Sequence, residues 1–225
     1  MRHFVLCVLV AFVLLSSSIS ASAQPAPSVS AEVVFTQVYA NSDTVRFLAY
    51  IRNPHEYTVG GVTTRWEAYD ADGVIVGSRT KTQPPILGGM DFPYVGGAGG
   101  AILSGRPAAV AIFLESLGER TDALPRIFPV EGVTLAPGGT RSRPTPNEYD
   151  VTATVTIDSE PINRRDLSAS IILRDRAGVV VGADFADFLH APDVLAPGAR
   201  VRVDERMDTV APATTGEVFA YADRP

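Results

Sequence analysis

The chain has 225 residues, 46% of them apolar and 20% charged, with a formal net charge of −6. That length allows one large domain or two small ones. The acidic balance and the lack of a basic patch exclude an electrostatic nucleic-acid surface, and a single cysteine, Cys7, excludes a disulfide framework.

Arg2 and His3 precede an unbroken apolar run from Phe4 to Leu15, and Ala21-Ser22-Ala23 stands just ahead of Gln24. This is the layout of a secretory signal peptide over residues 1–23, with cleavage expected after Ala23. The run is shorter than the roughly 20 residues a spanning helix needs. Cys7 lies inside it, not at the cleavage point, so lipidation is not expected. No second run of spanning length follows, so no membrane span is expected after cleavage. The expected location is secreted, or periplasmic within a cell envelope. Loss of Arg2 leaves 18 basic against 25 acidic side chains, a net −7. With no cysteine left, stability must come from apolar burial, which modules of ~100 residues can supply.

Residues 24–31 are rich in Pro, Ala and Ser and read as a flexible lead-in. A first β-module is expected over 32–124. Glu32 to Tyr39 is its first strand candidate, and Asn41-Ser42-Asp43 a turn cluster. Thr44 to Arg52 alternates, with Val45, Phe47, Ala49 and Ile51 on one face, the period of a half-buried strand. Asn53-Pro54 ends it. Val62, Thr64, Trp66 and Ala68 point one way on the next strand, and Trp66 reads as core. Val74 to Thr82 returns from the Asp70–Gly73 turn. Gly88 to Gly105 reads as a long mobile loop interrupted by Phe92 to Val95, and Ala108 to Glu115 as a late strand. Residues 125–149 read as a linker holding a strand pair of uncertain ownership, most linker-like from Pro137 to Pro146. A second β-module is expected over 150–225.

The modules share a repeat. Trp66-Glu67-Ala68-Tyr69-Asp70-Ala71-Asp72-Gly73-Val74-Ile75-Val76-Gly77 returns 105 positions later as Ile171-Ile172-Leu173-Arg174-Asp175-Arg176-Ala177-Gly178-Val179-Val180-Val181-Gly182. Both copies keep the alternation, the Asp at the turn, the Gly and the apolar return. Many short strands with regularly spaced turns point to an all-β chain of sandwiches.

This hairpin resembles the FxLYD domain family. The matching positions are Trp66, Ala68, Tyr69, Asp70 and Gly73 in the first copy, and Ile171, Leu173, Asp175 and Gly178 in the second. Asn53-Pro54 and Leu195-Ala196-Pro197-Gly198 also sit where such domains carry Asn-x and Leu-x-Pro-Gly. Trp66 for Phe, Ala68 for Leu and Arg174 for Tyr depart from the pattern. The resemblance implies two tandem immunoglobulin-like β-sandwich modules in an exported protein, and it brings no catalytic residues.

No constellation for chemistry stands out. Asp70-Ala71-Asp72-Gly73 has too few oxygen ligands for a calcium loop. His55 and His190 lack partners at zinc-ligand spacing, so no metal or other cofactor is expected. There is no G-x-S-x-G elbow, and Gly96–Gly100 lacks the Lys-Ser/Thr of a phosphate loop. Glu115/Glu119 and Asp184/Asp187 are carboxylate pairs whose separation the sequence does not fix. Binding candidates are aromatics on loops or outer faces: Tyr50, Tyr57, Tyr69, Phe92 and Tyr94. The expected function is non-catalytic binding to a protein or cell-surface component, through the Gly88–Gly105 loop or the cleft between modules. An accessory carbohydrate or envelope-polymer binder, using Tyr50 and Tyr69, is the alternative. A hydrolase with an unrecognised site is the remote one.

Overall fold

A computed structural model describes residues 28–39, 44–99, 102–138, 147–186, 188 and 190–223. The expected signal peptide, the first half of the lead-in and the Asn41-Ser42-Asp43 turn lie outside these residues, as does most of the Pro137–Pro146 segment. The chain is all-β, built from antiparallel sheets. Among the described residues, no helix is long and apolar enough to cross a membrane.

Six strands build the first sandwich: β1 (Ser30–Val38), β2 (Val45–Arg52), β3 (Val59–Tyr69), β4 (Ile75–Thr82), β5 (Asp91–Ala98) and β6 (Ala109–Arg120). One sheet has the order β1-β2-β5, the other β4-β3-β6. The alternation of β2 decides its packing. Val45, Phe47, Ala49 and Ile51 are all fully buried on the face toward the partner sheet. Val62, Trp66 and Ala68 of β3 meet them, with the Phe47 and Trp66 rings 5.8 Å apart. Trp66 is 1% exposed, in agreement with its expected core position.

The strands β7 (Ile127–Phe128), β8 (Val130–Pro137), β9 (Glu148–Thr156), β10 (Ile162–Asn163), β11 (Leu167–Arg174), β12 (Val180–Phe185), β13 (Val194–Leu195), β14 (Arg200–Asp208) and β15 (Thr215–Ala222) follow. They form the sheets β12-β11-β15-β7 and β14-β9-β8, with β10 and β13 as a separate short pair. The topology repeats that of the first sandwich: β8, β9 and β14 stand for β1, β2 and β5, and β12, β11 and β15 for β4, β3 and β6. This corrects the reading of 125–149 as a linker. β7 completes one sheet of the second sandwich and β8 the other, so the second module begins before Val130. β8 and β9 pair antiparallel, so the Pro/Gly stretch between them connects two strands of one sheet. The connection between sandwiches is the short segment from Thr121 to Arg126. Arg126 pins its end, donating to the Asp158 carboxylate (2.5 Å) and the Glu160 carbonyl (2.8 Å).

Both copies of the repeated hairpin have one geometry. Asp70 Oδ1 accepts the N–H groups of Asp72 and Val74, and Asp175 Oδ1 those of Ala177 and Val179, each at 2.9 Å. Gly73 (φ 79°) and Gly178 (φ 83°) occupy the left-handed region that favours glycine. The retained Asp and Gly are therefore turn chemistry.

The sandwiches stack as four layers. The outer face of β1-β2-β5 packs on that of β12-β11-β15 through Phe35, Leu48, Val95, Ile172 and Ala183. This explains why Leu48, on the polar phase of β2, is fully buried. Arg46 pairs with Asp184 (2.8 Å) and lies over the Phe185 ring (4.6 Å) across the seam. Phe92 meets Phe219 and Tyr221 edge-on, at 5.6 and 4.9 Å.

Candidate functional site

β4 and β5 are outer strands of opposite sheets, and on their side the first sandwich faces a cleft of about 940 Å3 shared with the second. The β3–β4 register sets Arg79 across from Trp66 and Lys81 across from Thr64. Opposed residues of an antiparallel pair project on the same face. Arg79 and Lys81 therefore leave β4 on its core-facing side, into the cleft, and not on the solvent face where charged residues of an edge strand are expected. From the second sandwich come Arg165, Ser168, Tyr221 and Asp223.

Lys81 Nζ lies 2.8 Å from Asp223 Oδ1 and 5.7 Å from the centre of the Tyr94 ring, so the cation joins both sandwiches. The Ser168 hydroxyl donates to the other Asp223 oxygen. Burial pushes the Tyr94 phenol up to about 12, with Arg79 pulling the other way and Asp223 adding to the rise. Burial, reinforced by Asp223, raises the Tyr221 phenol as well. Both rings are neutral at physiological pH. Arg79 and Arg165 are exposed in the cleft and face no carboxylate partner among the described residues. Of the charged lining side chains, Arg79, Lys81, Arg120 and Arg165 outnumber Glu119, Asp166 and Asp223 by one, in a chain whose overall charge is negative.

The cleft can hold a polar ligand, but it does not assemble a nucleophile. Ser168 donates to a carboxylate that is already paired with the Lys81 ammonium. Neither His55 nor His190 lines the cleft. His55 stacks on Tyr57, ring centres 4.7 Å apart and 9° from parallel. Among the described residues no group of three or more His, Cys, Asp or Glu side chains could hold a metal ion. Of the carboxylate pairs singled out in the sequence, Glu115 bonds Arg65 (2.7 Å) on the outer face of its sheet, Asp184 pairs with Arg46, and Asp187 lies outside the described residues.

The five aromatic candidates separate. Phe92 (0% exposed) and Tyr94 (5%) sit on β5, not on a mobile loop, and both are buried. This corrects the expectation for Gly88–Gly105. The glycines there serve packing within a strand: a Cβ on Gly96 would lie 2.3 Å from Phe47 Cζ, and one on Gly97 2.6 Å from an Arg46 nitrogen. Tyr50 does not lie on an open face. It accepts a hydrogen bond from Arg174 (2.8 Å) inside the seam. Tyr69, on the sheet opposite that of Tyr50, donates to Glu67 of its own strand, so the two tyrosines do not form one platform. Tyr57, 38% exposed, is the one of the five open to solvent, and Arg120 of the cleft lies 5.5 Å from its ring centre. Tyr94 alone joins the cleft's polar cluster directly. Sequence reading missed Arg79, Lys81, Arg165, Ser168, Tyr221 and Asp223. One signal was available: counting back across the Asp70–Gly73 turn puts two cations, one the chain's only lysine, opposite the inward residues Trp66 and Thr64.

No protein-family model and no curated protein matches the chain. Among solved structures it is similar to two chains of Amycolatopsis orientalis exo-chitosanase CsxA in complex with PNP-beta-D-glucosamine. Identities are 13% and 14%, covering 84% and 83% of this chain, each with a TM-score of 0.16. This chain spans 23% of the length of each of them. At that TM-score the likeness carries no argument about fold or chemistry.

Proposed function

We propose that this is an exported, non-catalytic binding protein whose ligand, part of a protein or cell-surface component, sits in the cleft between its sandwiches. The cleft carries the reading. It is large, both modules line it, and polar groups from each converge there around the Lys81–Asp223 pair. A concave site at a module boundary with a few placed polar groups is the usual setting for a ligand. Export rests on the signal-like residues 1–23. The immunoglobulin-like relationship rests on the repeated hairpin motif and the duplicated strand order.

The test is retention of native exterior components by the mature chain, compared with two charge reversals. Arg79→Glu alters the cleft; Arg176→Glu alters the exposed tip of the second hairpin. The expected result is a component held by the wild type and by Arg176→Glu, and lost by Arg79→Glu at an unchanged melting temperature. Equal retention by both variants would place the binding surface elsewhere.

A further inference from the structure

The cleft wall has a property that its charge alone does not describe. In an antiparallel pair the residues alternate between those whose main-chain groups face the partner strand and those whose groups face away. Gln83 N–H donates to the Val62 carbonyl (2.8 Å), which fixes the phase of β4. Thr64↔Lys81 and Trp66↔Arg79 are then the bonded pairs, and the main-chain N–H and C=O groups of Ser78, Thr80 and Thr82 point outward from the sheet edge. At the start of the strand that edge is covered, since the Val76 carbonyl accepts from Ser104 N–H (2.7 Å). Further along, no described strand lies beside it. β4 lines the cleft with consecutive residues from Arg79 to Thr82, as a strand does when seen edge-on.

An open edge is a template for an added strand, and inward-pointing charges are a device that discourages pairing with the wrong one. Arg79 of this strand and Arg165, which lines the same cleft from the second sandwich, repel a basic strand and favour an acidic one. Of the four aromatic rings that line the cleft, Trp66, Tyr94 and Tyr221 are buried, and Phe185, 43% exposed, already carries the Arg46 guanidinium over its ring. A single, already stacked ring is a poor platform for a neutral sugar.

We propose that the cleft receives an extended acidic peptide as an additional strand along the outer edge of β4, with carboxylates at alternate positions meeting Arg79 and Arg165. The inference rests on the reading of the cleft as the binding site. It also fixes which peptide nitrogens matter. Residues opposite Ser78, Thr80 and Thr82 exchange main-chain hydrogen bonds with β4 and place their side chains on the solvent side. Those opposite Arg79 and Lys81 carry the carboxylates, and their N–H groups face away from β4.

The probe is the blocked peptide Ac-Glu-Val-Glu-Thr-Glu-Val-Glu-NH2, followed by amide chemical shifts of the full mature chain at up to millimolar peptide. Shifts are expected at residues 78–82. Binding should weaken roughly fivefold in each of Arg79→Gln and Arg165→Gln, the scale of one partly exposed ion pair, and weaken further with added salt. N-methylation of the Val and Thr nitrogens should abolish binding, while N-methylation of the inner Glu nitrogens should preserve it. Equal binding of the two methylated peptides, or no shift with the parent peptide, overturns the proposal. Polygalacturonate, an acidic polymer without amides in its backbone, separates the two levels. Cleft shifts with polygalacturonate alone would reject the peptide and keep the cleft as the site. Shifts confined to another surface with either probe would reject both.

Discussion

Trp66 and Asn53 illustrate what single side chains contribute. The Trp66 ring is enclosed by Phe47 and the aliphatic residues of the first core, in a sandwich that has no disulfide to pack against. Trp66→Ala should lower stability by about 3–5 kcal/mol, read by urea unfolding. A change below roughly 0.5 kcal/mol would mean the cavity collapses without loss, against the dense packing seen here. Asn53 is fully buried and fully used. Its Nδ2 donates to the Tyr57 and Ile86 carbonyls (2.8 and 3.0 Å), and its Oδ1 accepts from His55 N–H (3.1 Å). It ties the turn after β2 to the segment before β5. The alternation of apolar residues made the place of Trp66 legible in sequence. The bond from Asn53 to Ile86 was not, because it spans 33 positions.

At the scale of elements, β5 is the instructive case. Its composition, Asp-Phe-Pro-Tyr-Val-Gly-Gly-Ala, reads as loop. Glycine weakens a strand in isolation and often marks the close approach of another group. Here the approaching groups are the Phe47 ring over Gly96 and the Arg46 side chain over Gly97, both from the neighbouring β2. Gly96→Ala should therefore cost about 1–3 kcal/mol, the range for overpacking a filled core. Replacing Phe47 with Leu in the same chain should recover part of that loss. If Gly96→Ala were neutral in chemical denaturation, Phe47 would not be held over that position. Pro93 fits the same strand because β5 is an outer one: its missing N–H would have faced away from β2, and its carbonyl accepts from Ser170 Oγ (3.3 Å) of the second sandwich.

For the whole molecule, the seam between sandwiches is a polar and aromatic junction, and it should fail in alkali. An ordinary phenol titrates near 10, and that of Tyr94 is held at about 12 in the fold. Below about pH 10 the ring is neutral in both folded and unfolded chains, and the stabilisation is fully present. Between those values only the unfolded chain ionises, so stability falls as pH rises. Tyr221, also raised, acts in the same direction. The urea midpoint should hold steady from pH 7 to 9 and drop between 10 and 12, with a shallower drop in Tyr94→Phe. An identical drop in that variant would remove Tyr94 from the cause.

The sequence by itself determined the local rules. Period-two alternation placed the inward faces of β2 and β3, and Asp-x-x-Gly closed both repeated hairpins, because those signals act within a few residues. Tertiary structure alone decided the rest. It assigned β7 and β8 to the second sandwich, filled the glycines of β5 with side chains from β2, and buried Leu48, Phe92 and Tyr94 at or beside the seam. It also brought Arg79 and Lys81 together with Arg165, Ser168, Tyr221 and Asp223, residues of two modules separated by more than eighty positions. The physical reason is that a sheet's outer face and edge carry no mark of what will cover them. Whether such a surface meets water, a second sandwich or a ligand is fixed only when the layers stack.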